Sequence, residues 1–229
     1  MQNHACRRAV LAGLLVLGAT PAAAQQPLLG LGQDEAARGI REALGQAAMA
    51  ATSRLAQHNG FWGNAEVRIP LPGMLGTAQR TLKGFGMSAP LDSLQESLNR
   101  AAETTMPQAG RLFLDAVRTV TIADAIEIVR GPQDSATRYL RGRTETRLTS
   151  LLRPPMTQAL TSSGAFTLMR AALREVGLAS MTSELRTEVI NFSTTKALDA
   201  CFLFIAEEER AIRRDPMRRT SDILRRVFG

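Results

Sequence analysis

The sequence predicts an all-α protein: a single compact multi-helix domain with one extended Pro-containing connector, after a cleaved signal peptide. Apolar residues make up 45% of the chain, which is enough for a packed core. Ala, Leu, Arg and Glu are abundant, and these residues favour helices. No segment alternates between apolar and polar residues for long enough to predict a strand. Because no internal repeat or flexible linker divides the chain, we expect one domain over residues 28–229.

The first 24 residues have the features of a signal peptide. Arg7 and Arg8 form a basic start, residues 9–19 are uncharged and apolar, and three alanines ending at Ala24 supply a cleavage pattern. The apolar run has about half of the roughly 20 residues that span a bilayer, and no later run reaches that length. We therefore expect an exported protein, cleaved near Ala24, with no transmembrane segment in the mature chain. The arginine pair also loosely fits a twin-arginine signal, so the export route stays open, with general secretion favoured.

The first helix is predicted over residues 33–57, where apolar residues recur at helical spacing. An Asn-Gly pair ends it, and an irregular connector follows. Pro70 and Pro72 lack backbone N–H donors and favour extended conformations in the residues before them. The connector is therefore expected to lie across the helices as an extended arm. Trp62, the only tryptophan, is expected to anchor this arm by burial.

The remaining elements are predicted from apolar spacing, caps and breaks. A break is expected at Pro107, and another at the pair that begins with Pro154. Thr121 and Asp124 resemble a capping box, with Asp in place of the usual Glu. These signals predict helical segments near 74–85, 91–106, 107–120, 121–130 and 135–152, two short segments punctuated by Gly164 and Gly177, a long helix from Ser193 or Thr194 to about 214, and a short terminal helix.

Seven short stretches stand out together along the chain. They are Asn-Gly-Phe at 59–61, Val-Arg-Ile-Pro-Leu-Pro at 67–72, Leu-Asn-Arg-Ala-Ala-Glu at 98–103, Phe-Leu-Asp-Ala at 113–116, Ala-Asp-Ala at 123–125, Thr-Thr-Lys-Ala-Leu-Asp at 194–199, and Ile-Ala-Glu-Glu-Glu at 205–209 with the terminal Phe-Gly. In this order, and over nearly the whole mature chain, they resemble the bacterial family known as domain of unknown function 4197. The resemblance implies an exported, mostly helical protein of Gram-negative bacteria, hence a periplasmic location. It implies no activity, since the family has no catalytic or ligand residues to carry over.

The charge and the rare residue types exclude several chemistries. The formal charge is +7, and removal of two signal-peptide arginines and no acid leaves +5. Nucleic acid is not expected as a partner outside the cytoplasm, whereas the charge allows anionic lipid or lipopolysaccharide as one. Cys201 is the single cysteine of the mature chain and is expected to be a buried core thiol. His58 is the single histidine and is expected to be solvated at a helix end. With these few ligands and no Gly-rich phosphate loop, no metal or cofactor site is expected.

Three consecutive acids near the C-terminus point in different directions on a helix. Glu209 falls in the middle of an apolar face, Glu208 flanks that face, and Glu207 lies opposite. A carboxylate in an apolar stripe costs several kcal/mol unless it is paired and hydrogen-bonded. We therefore expect Glu209 to be partly buried against an arginine or backbone donors, with Arg68 and Arg100 as the candidate structural ion-pair partners. The apolar face comprises Leu198, Phe202, Ile205 and Ile212.

A functional alternative uses the same acids as a catalytic or cation-binding site. Glu208 and Glu209 would then act as the centre of a carboxylate-dependent hydrolase, with Asp115, Asp124 or Asp199 completing a dyad or a cation site. Simpler roles exist for two of these residues. Asp124 stands at the capping position, and Asp115 is either a solvated helix residue or pairs with a neighbouring arginine at position 111 or 118.

Four arginines crowd one predicted helix without sharing a face. Arg138 and Arg141 lie together, while Arg143 and Arg147 lie on the other side. This spacing favours solvated positions and ion pairs over a dedicated anion site, with an anionic-lipid surface as the alternative. The sequence as a whole favours a soluble periplasmic helical protein that binds an envelope protein, a lipid or a small amphipathic ligand. Its oligomeric state is left open, and the hydrolase remains the alternative.

Overall fold

The structure is a computed structural model that describes residues 32–175 and 177–228, without the side chains of residues 33, 122–124 and 126. The predicted signal peptide lies outside the described residues. Within them, all the regular elements are helices, and the two shortest are single turns of 3-10 helix, Ala179–Met181 and Pro216–Arg218. The α-helices are α1 (Gln33–Ala56), α2 (Gly73–Lys83), α3 (Ala89–Val117), α4 (Ile122–Arg130), α5 (Ser135–Ser162), α6 (Ala165–Glu175), α7 (Thr182–Arg214) and α8 (Asp222–Phe228).

The four long helices pack side by side as the centre of the fold. Helix α1 lies against α3 and α7, and α5 lies against the same two helices from the other side. Helices α4 and α8 cover α1, α6 covers α3, and α2 rests on α3 near its start. This arrangement is a four-helix bundle with smaller helices around it. The predicted all-α class with one compact domain is confirmed.

Helical periodicity explains how these helices form one core. On α5, Leu148, Leu152 and Met156 recur at four-residue spacing and are all buried. At the centre of the bundle, the rings of Phe113 and Phe202 meet edge to face, with centroids 5.2 Å apart. Each such large side chain contributes about 1.5–3 kcal/mol when it is removed from water. The apolar stripes therefore fix which face of each helix turns inward.

Two helices continue through the prolines that were expected to break them, so those predictions were wrong. Pro107 lies inside α3, and Pro154 and Pro155 lie inside α5. An interior proline costs about 3 kcal/mol because one hydrogen bond is lost. Burial on both sides of the proline offsets this cost, as for Met106 and Phe113 on α3.

Helix α7 begins at Thr182, well before the predicted start at Ser193 or Thr194. The earlier turns carry buried apolar residues such as Leu185 and Val189, which pack against the bundle. The Thr194 hydroxyl donates back to the carbonyl of Ile190 at 2.7 Å, so it is satisfied inside the helix instead of capping it. The predicted capping box at Thr121 and Asp124 involves a side chain outside the described residues.

The connector between α1 and α2 consists of hydrogen-bonded turns up to Val67 and is extended, as predicted, only over residues 68–72. Its anchor also differs from the expected one. Val67, Ile69 and Leu71 are buried at every second position, so the arm has an inner and an outer face. Phe61 is completely buried, whereas Trp62 is only half-buried. The phenyl ring of Phe61 fits into the core at this turn. The indole of Trp62 stays at the surface, where the guanidinium of Arg68 lies over it.

Candidate functional site

Two polar side chains of α3 hold the connector against the bundle. The side-chain carbonyl of Asn99 accepts from the N–H of Ile69 at 2.8 Å, and its amide donates to the carbonyl of Ile69 at 2.9 Å. Oε1 of Glu103 accepts from the N–H groups of Phe61 and Trp62, both at 3.1 Å. Both α3 residues are buried, and their bonds replace the backbone partners that a sheet would supply. The connector is thereby fixed as one wall of a cleft.

The connector cleft lies between this arm, the first turns of α5 and the middle of α7. Its volume is ≈ 530 Å³. Apolar side chains of α7, Phe202 and Leu203 among them, form the floor, and Arg68 and Arg138 stand at its edges. The cleft is lined by Glu66, Val67, Arg68, Pro70, Thr137, Arg138, Arg141, Lys196, Asp199, Ala200, Phe202, Leu203 and Ala206.

Ion pairs organise the polar end of the connector cleft. The Arg141 guanidinium contacts Asp199 at 2.6 Å and Glu145 at 2.8 Å, and it lies 5.2 Å from the centre of the Phe202 ring. Lys196 approaches the second oxygen of Asp199 at 3.4 Å. The hydrogen bond that Arg141 donates to Glu145 raises the pKa of Arg141 against the opposing effect of burial, and the bond that it donates to Asp199 raises it further. Arg141 is therefore a fixed cation, locked in place by two carboxylates.

The other arginines at the edges of the connector cleft are less constrained. The Arg68 Nε donates to the carbonyl of Trp62 at 2.7 Å, and its guanidinium lies 5.0 Å from the indole centre. Among the described residues, no carboxylate forms an ion pair with Arg68. Arg138 pairs with Asp134 at 2.6 Å, but 61% of its side-chain surface remains exposed. The hydrogen bond from Arg210, with the charge of Arg138, lowers the pKa of Asp134.

The most buried carboxylate lies outside this cleft. Glu209 is 1% exposed, and it accepts hydrogen bonds at the N-terminus of α5. The backbone N–H of Ala136 donates to one oxygen at 3.1 Å, and the N–H and hydroxyl of Thr137 donate to the other at 2.8 and 2.7 Å. Arg213, one turn further along α7, completes the shell at 2.8 Å. Glu209 thus caps α5 and complements the positive end of its dipole.

Arg213 extends the same contact to a second helix end. Its guanidinium donates to the carbonyls of Ile128 and Val129, the last turn of α4, at 3.1 and 3.3 Å, and it lies 4.9 Å from the ring centre of Phe228. The Glu209–Arg213 pair therefore joins the end of α4, the start of α5, α7 and α8. This structural role explains why the charges of Glu209 and Arg213 are buried, without any catalytic role.

Arg213, and neither of the two arginines proposed from the sequence, is the ion partner of Glu209. Arg68 lies at the connector cleft. Arg100 contacts Glu103 at 3.0 Å and Glu96 at 3.2 Å. Burial lowers the pKa of Arg100, but the hydrogen bonds to Glu103 and Glu96 and the charges of these two acids together raise it overall. Arg68 belongs to the connector, and Arg100 lies beside Glu103, which with Asn99 clamps the connector. Neither arginine pairs with Glu209, although Thr137 both donates to Glu209 and lines the connector cleft.

The other acids that the structure describes do not assemble into a catalytic centre around Glu209. Glu208 pairs at 3.0 Å with Arg218, in the 3-10 turn Pro216–Arg218 that follows α7. Asp115 pairs with Arg118 at 3.1 Å, and both side chains are largely exposed. Asp199 lies in the connector cleft, and the side chain of Asp124 lies outside the described residues. Because Glu208 and Glu209 face different partners, they form no dyad.

The two rare nucleophilic or basic side chains occupy the expected places. Cys201 is completely buried, its sulfur lies 3.5 Å from that of Met106, and burial raises the pKa of the Cys201 thiol to about 12. A thiol in this state stays protonated and unreactive. His58 is exposed at the end of α1. In the part of the chain that the structure describes, His, Cys, Asp and Glu form no group that could hold a metal ion.

One stretch among the described residues passes a test for membrane-spanning helices. Ala179–Arg214 is long and apolar enough to cross a bilayer by length and composition alone. However, 67% of its most apolar window is buried inside the fold, as expected for the core helix of a bundle. The stretch is therefore weak support for a membrane span.

Sequence reasoning missed several residues that build the connector cleft and its clamp. Asn99 and Glu103 carry no local signal, because their partners lie about 30 to 40 residues away in the chain. The i, i+4 spacing of Glu209 and Arg213 is a signal that could have identified this pair. The grouping of Arg138 with Arg141 was predicted correctly, since both line the connector cleft.

The fold and the site define a class of protein: an all-helical bundle with a ligand-sized cleft beside an extended connector. The family model described as "Protein of unknown function (DUF4197)" matches residues 30–229. The chain belongs to this family, which confirms the resemblance found in the sequence. No curated protein and no solved structure matches the chain.

Proposed function

We propose that this protein is a periplasmic binding protein whose connector cleft holds a small anionic amphipathic molecule. The observation that carries the proposal is the connector cleft itself, which combines an apolar floor with arginines at its edges. The pattern of an export signal supports the periplasmic location. In this proposal the protein acts by binding, and the ligand comes from the cell envelope.

The size and floor of the connector cleft suit an acyl chain. Its volume of ≈ 530 Å³ lies within the range of about 300–1,000 Å³ that is typical of small-molecule sites. Val67 on the connector and Phe202 and Leu203 on α7 provide apolar contacts from two sides. The clamp by Asn99 and Glu103 keeps the connector wall in place, so the site is preorganised.

The edges of the connector cleft suit an anionic head group. Arg68 has no carboxylate partner among the described residues, and Arg138 remains largely exposed beside its partner. Guanidinium groups bind carboxylate or phosphate through two parallel hydrogen bonds. Arg141 and Lys196 are engaged with Asp199, which leaves Arg68 and Arg138 as the groups available to a ligand.

Decyl phosphate is a suitable probe, because it joins a short chain to an anionic head. We expect the protein, purified after export, to bind decyl phosphate below its micelle concentration in isothermal titration calorimetry. Leu203→Glu puts a charge on the floor and should weaken binding at least tenfold. Leu151→Glu is the matched control, because Leu151 is 43% exposed and lies outside the connector cleft. Equal binding by the two variants would contradict the proposal.

The head-group contact has its own test. Arg68→Gln should weaken decyl phosphate about tenfold, which corresponds to about 1.4 kcal/mol, and should leave the binding of neutral decyl maltoside unchanged. Arg118→Gln is the control, since Arg118 is a largely exposed arginine that pairs with Asp115 and lies outside the connector cleft. Thermal unfolding of each variant checks that the fold is retained. If Arg68→Gln and Arg118→Gln bind alike, Arg68 does not hold the head group.

A further inference from the structure

Two large apolar side chains lie exposed just after the end of α2, only two residues apart in the sequence. Phe85 is 75% exposed and Met87 is 64% exposed, while Met74 at the start of the same helix is 38% exposed. We name Arg80, Lys83, Phe85 and Met87 the α2 tip. Exposed apolar residues in a cluster of this kind mark an interaction surface.

The α2 tip contains a turn that is closed by backbone hydrogen bonds. The N–H of Met87 donates to the carbonyl of Leu82 at 3.0 Å, and the N–H of Gly86 donates to the carbonyl of Lys83 at 3.1 Å. Gly86 has φ +71°, the left-handed conformation that ends many helices in this pattern. Phe85 and Met87 therefore project from a defined hydrogen-bonded turn, on either side of a glycine.

The charges around the α2 tip are basic. Arg80 and Lys83 are exposed on α2, and the sequence contains no acid between Glu66 and Asp92. Asp92 is occupied, since it accepts from the Ser88 hydroxyl and the Gln79 amide, both at 2.7 Å. Glu175 of α6 is the acid that lines the hollow beneath α2. The protruding end of the helix thus combines apolar side chains with positive charge.

We propose that the α2 tip docks on the surface of a lipid bilayer that contains anionic lipids. Phe85 and Met87 enter the interfacial layer, and Arg80 and Lys83 face the lipid phosphates. A bilayer is favoured over a protein partner because Phe85 lies in the same exposed segment as Arg80 and Lys83, and positive charge beside an exposed ring matches an anionic surface. Met87 also lines the apolar hollow beneath α2. A fluid layer needs no complementary shape. The proposal concerns a different surface from the connector cleft and does not depend on it.

The test is flotation of the purified protein with vesicles at low salt. We expect binding to vesicles of phosphatidylcholine with phosphatidylglycerol, and at least tenfold weaker binding to vesicles of phosphatidylcholine alone. The double variant Phe85→Ser, Met87→Ser should lose at least tenfold in partitioning. Lys83→Gln should lose about fivefold on the anionic vesicles only. No binding of the unchanged protein to anionic vesicles would overturn the proposal.

Two controls keep this test specific. Met217→Ser removes a methionine that is 88% exposed elsewhere, and it should bind vesicles like the unchanged protein. Phe85→Trp should show a blue-shifted emission on anionic vesicles, beyond the signal from Trp62. Binding by the double variant equal to that of the unchanged protein would overturn the proposal. So would self-association that depends on Phe85 without any vesicle binding. Titration with decyl phosphate should be unaffected by the tip variants, which separates this proposal from that of the connector cleft.

Discussion

At the residue scale, Glu209 shows how a buried charge is stabilised. Its two oxygens are shared among the first turn of α5 and Arg213, so the desolvated charge meets donors on every side. The carboxylate complements the positive end of one helix, and Arg213 complements the negative end of another. The pair therefore stabilises the junction of four helices instead of supplying chemistry.

Exchange of Glu209 for Gln should destabilise the fold strongly. Gln keeps the shape of Glu209 but loses its charge, so Arg213 is left buried without a counter-ion. In addition, the amide NH2 of Gln would face the hydrogen-bond donors of α5. We expect a loss of about 3–5 kcal/mol in the free energy of unfolding, measured by chemical denaturation. Glu208→Gln is the matched control and should cost less than about 1 kcal/mol, because Glu208 and Arg218 are partly exposed. Equal stabilities for the two variants would rule out this role for Glu209.

The sequence identified Glu209 as an acid on an apolar face, but it could not identify all its partners. The donors of Ala136 and Thr137 lie more than 70 residues away in the chain. Only the folded arrangement brings the start of α5 beside α7. Helical periodicity thus predicts which residue is buried, whereas long-range contacts determine what satisfies it.

At the scale of elements, glycine sets how closely α8 approaches α1. A Cβ atom added to Gly39 would lie 2.6 Å from Cγ2 of Val227. Sequence reasoning would treat Gly39 as a weakness in α1, since glycine is a poor helix former. In the fold it is the residue that lets the terminal helix pack on the bundle.

Gly39→Ala should therefore destabilise the protein although alanine favours helices. We expect a loss of about 1–2 kcal/mol, because overpacking outweighs the gain in helix propensity. Val227→Ala removes the clashing methyl groups, so the double variant should be more stable than the sum of the two single effects. Gly45→Ala is the control within the same helix, since its added Cβ has only an ordinary 3.6 Å contact, and it should be neutral or stabilising. Strict additivity of Gly39→Ala and Val227→Ala in thermal unfolding would argue against this packing.

The prolines inside α3 and α5 also show that tertiary packing determines where a helix ends. Pro107 and Pro154 carry strong local signals for a helix break, yet α3 and α5 run through them. Local propensity was overridden because the residues on both sides pack into one continuous core. The helical class could be predicted from composition and periodicity, while the lengths of the helices depended on tertiary packing.

At the scale of the whole molecule, one segment links the two proposed surfaces. The connector forms a wall of the connector cleft and leads directly into α2, whose end forms the α2 tip. The sequence predicted the connector from its prolines. It could not predict the cleft, because that site combines residues from the connector, α5 and α7 that meet only in the bundle. The connector is therefore the element that links the two proposed binding surfaces.

The most direct test of the central claim is to locate a bound amphipathic molecule by photolabelling. A decyl phosphate analogue with a diazirine near the end of its chain can be irradiated on the protein, and the labelled peptides identified by mass spectrometry. We expect labels at Val67 and around Phe202 and Leu203, and we expect these labels to be lost in Leu203→Glu. Labels around Leu151 or Phe85 instead, unchanged in Leu203→Glu, would contradict binding in the connector cleft.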